Sequence, residues 1–301
     1  MKLWNRWAGH WRRWRRRRWA LGVDDAGNSV RWVCLRHTDG VADTLIGAGQ
    51  WPVGAEAAGL VAAGLQDLPM ALSTHAVVQR HRHMPLHLDE NDHATWAKAT
   101  VAQAMGLSVA EVVADWGPEA ETDPDAGVWV AGARASVQHS RVHWAQARGA
   151  PLRLLDAQSS ALMRVLCASA QKQTEPVWLW WAGRDEGQVC TGWWHLGRWR
   201  DRQDVRVDLW QMDRMPSVLL NLVKTTQAQT PQLAQRPWWW LGDALAPWAE
   251  RWALERPASC RDWVCCAAPV PFGREIEALT HAPAHGWALA LGLALHPGWR
   301  S

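Results

Sequence analysis

The side chains able to do chemistry in this sequence are few. His81, His83 and His87 form an H-x-H-x-x-x-H pattern, imidazoles of the type that ligate zinc when a fold brings them together. They lie on a stretch that runs through Pro85. An extended segment of that kind turns its polar side chains to solvent, so exposed polarity is the expectation and no metal site is assigned. The six cysteines, Cys34, Cys167, Cys190, Cys260, Cys265 and Cys266, include no C-x-x-C pair. Adjacent Cys265 and Cys266 would point to opposite faces of a strand, and all six are expected as small apolar residues in a reducing compartment. The chain contains no Tyr, which removes a catalytic tyrosine.

The strongest pattern is at the start. Trp4, Trp7, Trp11 and Trp14 recur at spacings of 3, 4 and 3, one face of a helix, while Arg6, Arg12, Arg13, Arg16 and Arg17 fall on other faces. An apolar face for the acyl boundary and cations for anionic headgroups are what an interfacial membrane helix needs. A solvated basic tail is the bland alternative. A nucleic-acid arm is disfavoured by the rest of the chain: residues 1–20 hold eight basic groups and no acid, leaving 24 of the 32 basic residues against all 29 acids. An acidic body with a basic arm is no general nucleic-acid binder.

At 301 residues, 48% hydrophobic and 20% charged, the chain is globular and long enough for about two domains. Its aromatics are 26 Trp and one Phe, and 28 of its 32 basic residues are Arg. A very GC-rich gene explains both, so most tryptophans need no functional role. No apolar signal-peptide core follows the basic start, and the longest uncharged run, His281 to Trp299, is broken by Pro283 and Pro297. A cytoplasmic protein is expected.

Strands and helices alternate in two similar halves. Trp19–Val23 and Ser29–Leu35 flank a polar turn, Asp24-Asp25-Ala26-Gly27-Asn28, and form a hairpin. A helix at about 55–66, a strand near 74–79 and a helix over Asp89–Met105 follow. An acidic loop from Gly117 to Gly127 leads to a strand at Val128–Ala133, a helix over 134–148, a strand at 151–155, and a helix for which Asp156 is the expected N-cap. The second half repeats the plan: strands at Val177–Trp181, Val189–Trp194 and Trp199–Val207, a helix at 213–226, a strand at Trp238–Leu241, a helix to Ala253, a strand near 263–267 and a helix over Ala284–Leu295. This is a duplicated α/β plan.

Four stretches in this order resemble the PilM family of type IV pilus assembly proteins, actin-like relatives of FtsA. Leu21-Gly-Val-Asp-Asp-Ala-Gly-Asn-Ser-Val30 resembles the family's first phosphate turn. Trp129 to Gln138, then Ala147-Arg-Gly149 and Leu155-Asp-Ala-Gln-Ser-Ser-Ala-Leu162, resemble its strand, its helix ending in Ala-Gly and its Asp-x-Glu-x-x-Ala-Leu block. Leu241-Gly-Asp243 stands where relatives carry a Gly-Gly nucleotide loop. Ala288 to Leu295 resembles the closing helix. The resemblance implies an α/β, actin-like (ribonuclease H-like, duplicated) fold with an inserted small α+β subdomain. Its parts would be the arm (1–18), a first subdomain (19–74 and 151–175), the insertion (75–150) and a second half (176–301). It also implies a scaffold role: binding the cytoplasmic tail of a PilN-like inner-membrane protein in a groove between the first subdomain and the insertion.

The same resemblance places nucleotide contacts at Asp24, Asn28, Ser29, Gln158, Gly242 and Asp243, and the departures there are informative. Asp25 replaces an apolar residue, Gln158 replaces Glu, and the second phosphate turn reads Trp180-Trp181-Ala182-Gly183 where Asp-x-Gly belongs. Such folds hold phosphates with backbone N–H groups and Mg²⁺-organising aspartates, so weak ATP/Mg²⁺ binding at best, no catalytic residue and no metal site are expected. Two alternatives stay open: an actin-like ATPase or sugar-kinase-type enzyme, and a type II secretion scaffold. The latter usually continues into a membrane span, whereas this sequence ends at Ser301 without one. Partners are therefore expected to be a PilN-like tail and, through Trp4, Trp7, Trp11, Trp14, Arg12, Arg13, Arg16 and Arg17, the anionic inner face of the inner membrane.

Overall fold

A computed structural model describes residues 19–25, 27–39, 41–74, 77–83, 85, 88–118, 128–171, 173–183, 189–195, 198–205, 238–242, 245–247, 249, 265–296 and 299. The arm, the expected helix at 213–226 and most of the one ending at Ala253 lie outside these residues. The chain divides into two compact units, one of residues 1–73 and 148–301, the other Thr74–Ala147.

The larger unit holds two five-stranded sheets of the same plan. In the first, β1 (Trp19–Asp25), β2 (Ser29–Thr38) and β3 (Val41–Pro52) form an antiparallel meander. A short helix, α1 (Glu56–Ala62), leads to β4 (Met70–Thr74), which lies parallel to β1. With a later strand, β8 (Leu152–Ala157), the order is β3-β2-β1-β4-β8. In the second, β9 (Val177–Trp181), β10 (Val189–His195) and β11 (Arg198–Val205) repeat the meander, and β12 (Trp238–Leu241) and β13 (Cys265–Ala267) add in parallel, giving β11-β10-β9-β12-β13. The central strands β1 and β9 are apolar runs buried nearly end to end, as strands covered on both faces must be.

Helices α4 (Gln158–Ala170) and α6 (Ala288–Ala294) share one core with both sheets. Ala20, Val33 and Leu35 of the first sheet and Leu179, Trp181 and Leu241 of the second join Ala161, Val165, Leu291 and Leu293 in a single buried cluster. Two glycines permit this closeness. A Cβ on Gly22 of β1 would sit 2.6 Å from the Ala294 nitrogen, and one on Gly292 would sit 3.0 Å from Ala161 Cα with the Ala161 carbonyl nearer still. A further helix, α5 (Gly273–Thr280), precedes a 3₁₀ turn at Ala284–Trp287 that runs into α6.

The smaller unit has its own sheet, β5 (Val78–Arg82), β7 (Val128–Arg134) and β6 (Val112–Pro118), all antiparallel in the order β5-β7-β6. Helix α2 (Glu90–Met105) packs Ala97, Val101 and Ala102 against Val112 and Val130. Gly106, with φ of 65°, ends that helix, and Leu107 N–H donates back to the Ala102 carbonyl at 3.0 Å. Helix α3 (Ala135–Gln146) follows β7 directly.

Several boundaries differ from the sequence expectations. The single strand expected near 74–79 is two strands, because buried Met70–Thr74 belongs to the large sheet while Val78–Arg82 belongs to the small one. Asp156 does not cap α4. Strand β8 continues to Ala157, which is the N-cap, and the Asp156 carboxylate instead accepts from the Ala157 N–H at 2.8 Å and from the Arg164 guanidinium. Strand β3 was not expected at all. Its Gly47 and Gly49 are small because the Trp32 ring lies on them, 3.2 and 3.0 Å from where a Cβ would be.

Candidate functional site

The carboxyl ends of the central strands meet the start of α6 around one small cavity, lined by Asp24, Leu162, Ala182, Gly183, Gly242, His285, Gly286 and Leu289. Asp24 reaches it from the end of β1 and is 1% exposed. Ala182 and Gly183 follow β9, and Gly242 follows β12. Gly242 has a φ of 110°, and a Cβ there would run into the Ala182 carbonyl, so only glycine lets the two loops approach.

The far wall is the 3₁₀ turn. Arg31 of β2 donates through Nη1 to the Gly286 carbonyl at 2.7 Å, and its guanidinium lies 5.6 Å from the centre of the Trp287 ring. Trp287 Nε1 in turn donates to the Gly49 carbonyl at 2.9 Å. His285 stands edge-on to Trp240, ring centres 5.8 Å apart.

Among the described lining residues are one carboxylate and one imidazole, and no lysine or arginine. The cavity volume is about 10 Å³, room for one water, whereas small-molecule sites are on the order of 300–1,000 Å³. At the β1–β2 turn the Gly27 N–H donates to Asp25 Oδ1 at 3.2 Å. The turn's donor is thus satisfied by its own carboxylate, the kind of anion a phosphate turn would otherwise offer it to.

Of the residues singled out from sequence, the structure brings Asp24 and Gly242 together at this cavity. Gln158 begins α4 and is buried at 2% exposure, outside the lining. Asn28 is exposed on the turn beside Ser29, whose hydroxyl donates to Asn28 Oδ1 at 3.5 Å. Asp243, His81's side chain, His87 and the arm lie outside what is described, and His83 is exposed. Trp180 and Trp181 are 1% and 0% exposed. They belong to the core, and the residues that β9 presents to the cavity are the next two, Ala182 and Gly183. His285 and Gly286 were missed by sequence reasoning; the only signal was a Pro-x-His-Gly stretch just before the closing helix.

Among the described residues no helix is long and apolar enough to cross a membrane, and no three His, Cys, Asp or Glu cluster as metal ligands. The sequence matches no protein-family model, and no curated protein matches it. Solved structures do match. The fold is similar to that of a chain from a PilM–PilN type IV pilus biogenesis complex, with a TM-score of 0.59 and 16% identity over 92% of this chain and 97% of that one. A protein of actin-like ATPase fold from Bacteroides thetaiotaomicron gives a TM-score of 0.45 at 10% identity, covering 91% and 96% of the two chains. The cytoplasmic domain of EpsL, an inner-membrane component of the Vibrio cholerae type II secretion system, gives 0.43 at 11%, covering 74% and 82%. With its two sheets of identical strand order, the chain has a duplicated, actin-like α/β fold.

Proposed function

We propose that this protein is an actin-like scaffold of a type IV pilus assembly complex at the inner membrane. In this reading it is cytoplasmic, binds the cytoplasmic tail of a PilN-like membrane protein, and does not turn over ATP. The observation that carries the last point is the cavity. A nucleotide site needs acids to organise Mg²⁺ and donors to hold phosphate. Here, among the described lining residues, Asp24 is the one carboxylate, the strand expected to bring a second acid is followed by Ala182 and Gly183, Asp25 accepts the first turn's Gly27 N–H, and the space takes about one water. The pilus assignment is supported by the sequence blocks from Leu21 to Leu295 and by the fold shared with the PilM–PilN chain. The Trp/Arg arm would hold the body against anionic lipid beside its partner, and a small gain in local concentration lets a weak contact be occupied.

The test is titration of the purified chain with a peptide of the PilN-like protein's cytoplasmic tail. Saturable binding unaffected by ATP is expected. Absence of binding at any peptide concentration would refute the partner, and binding abolished or created by ATP would refute the inert site.

A further inference from the structure

Helix α3 carries a short internal repeat. Ser136-Val-Gln-His139 is followed at once by Ser140-Arg-Val-His143, the same Ser-x-x-His unit four residues on. Both histidines lie inside the helix, and Ala147 N–H donates to the His143 carbonyl at 3.0 Å, so helical hydrogen bonding continues past the second of them. A four-residue spacing sets one side chain above the other on one face, with Cβ atoms about 5–6 Å apart.

His139 and His143 are both exposed, and so are Ser136, Ser140 and Gln146, the other exposed residues of α3; none of the five is charged. A solvated helix face ordinarily carries charged side chains. Arg141, two residues from each histidine, is half-buried and lies about 200° around the helix from both. Among the described residues neither imidazole is engaged by a hydrogen bond, an ion pair or a ring contact.

Two imidazoles at i and i+4 on one helix face have the spacing with which helices hold zinc. Each nitrogen binds at about 2.0–2.1 Å, so two tetrahedral ligands stand about 3.3 Å apart. Side chains rooted on successive turns close to that gap by choice of rotamer alone. The hydroxyls of Ser136 and Ser140, each three residues before its histidine, are helical neighbours of the pair and suit water carried by the cation. No third His, Cys, Asp or Glu joins the pair among the described residues, so the remaining positions are left to water. Imidazole suits Zn²⁺ and similar cations, whereas Mg²⁺ and Ca²⁺ take oxygen ligands. We propose that His139 and His143 form an exposed two-imidazole site for Zn²⁺ or a similar borderline divalent cation.

The test is amide hydrogen exchange of the full chain with and without Zn²⁺. A cation that bridges one helical turn stabilises the helix that holds it, so exchange over residues 139–147 should slow with Zn²⁺ and not with Mg²⁺. In a Zn²⁺ titration followed by that signal, His139→Ala and His143→Ala should each weaken binding at least about tenfold, the least that removing even a ligand's outer hydrogen-bond partner costs. Both positions are exposed and Ala is the best helix former, so the variants keep the helix. His83→Ala, at an exposed histidine elsewhere in the smaller unit, should change nothing. Exchange over this segment that ignores Zn²⁺ overturns the proposal. So does Zn²⁺ protection that survives either α3 substitution or that His83→Ala removes.

Discussion

Arg31 and Gly286 are 255 positions apart in the chain and joined by a 2.7 Å hydrogen bond from guanidinium to carbonyl. The bond fixes the 3₁₀ turn against β2, and the same guanidinium lies over the Trp287 indole.

The first prediction concerns the cavity that this turn walls. With Mg²⁺ and ATP, steady-state phosphate release should stay at background, and Asp24→Ala should not change it. Turnover well above background that Asp24→Ala abolishes would mean that the cavity opens into a working site.

Glu56 supplies a prediction in pH. It is 2% exposed at the start of α1 and lies 3.3 Å from Arg148 Nη2. Burial pushes its carboxyl up, but hydrogen bonds from its own N–H, the Gly54 N–H and Arg148, with the Arg148 charge, outweigh this and hold it below the ordinary value. A carboxyl depressed by folding stabilises above its unfolded pKa of about 4.3, and that contribution is lost as pH falls through the lower folded value. Glu56→Gln should therefore cost about 2–3 kcal/mol in urea unfolding at pH 7. The gap between variant and parent should close in acid; a gap of equal size at pH 3 would assign the effect to packing.

Much of this architecture was legible in the sequence. The β1–β2 hairpin after Trp19, the buried Val177–Trp181 run and the small-residue closing helix each carry a local period or composition that only one element satisfies. Strand β3 was not legible, since Val41–Pro52 has neither alternation nor a continuous apolar run; its glycines answer to a tryptophan on the next strand. The Asp156 boundary failed for a related reason: a good capping residue was taken by Arg164, which also reaches the Gly292 carbonyl at 2.9 Å. At the site, Asp24 and Gly242 could be placed by their motifs. His285 and Gly286 could not, because they arrive from a distant part of the chain through tertiary contacts alone.

The close crossing of α6 and α4 gives a steric prediction. Gly292→Ala would drive a methyl group into the Ala161 backbone, and an overpacked core costs about 1–3 kcal/mol or more. Gly273→Ala meets nothing nearer than 3.6 Å and should be close to neutral. Urea midpoints of the two variants test the contrast, and equal midpoints would contradict the packing described.

Lipid binding tests the arm. Each Lys or Arg near an anionic surface contributes about 1 kcal/mol, so even half of the eight cations at residues 1–20 give several. The full chain should pellet with anionic but not neutral vesicles. Replacing Arg12, Arg13, Arg16 and Arg17 by Gln should release it. Pelleting that ignores either lipid charge or these substitutions would reduce the arm to a solvated tail.

Among the described residues each of the two sheets holds a stacked pair of indoles: Trp32 on Trp51 in the first, ring centres 5.4 Å apart at 18°, and Trp180 on Trp238 in the second, 5.3 Å apart at 17°. Chromophores stacked this closely share their excited states, so each half of the molecule carries its own optical signature in circular dichroism, separate from the unstacked tryptophans. Trp51→Phe would silence one couplet and Trp238→Phe the other. The melting of each half can then be followed independently, without any added label.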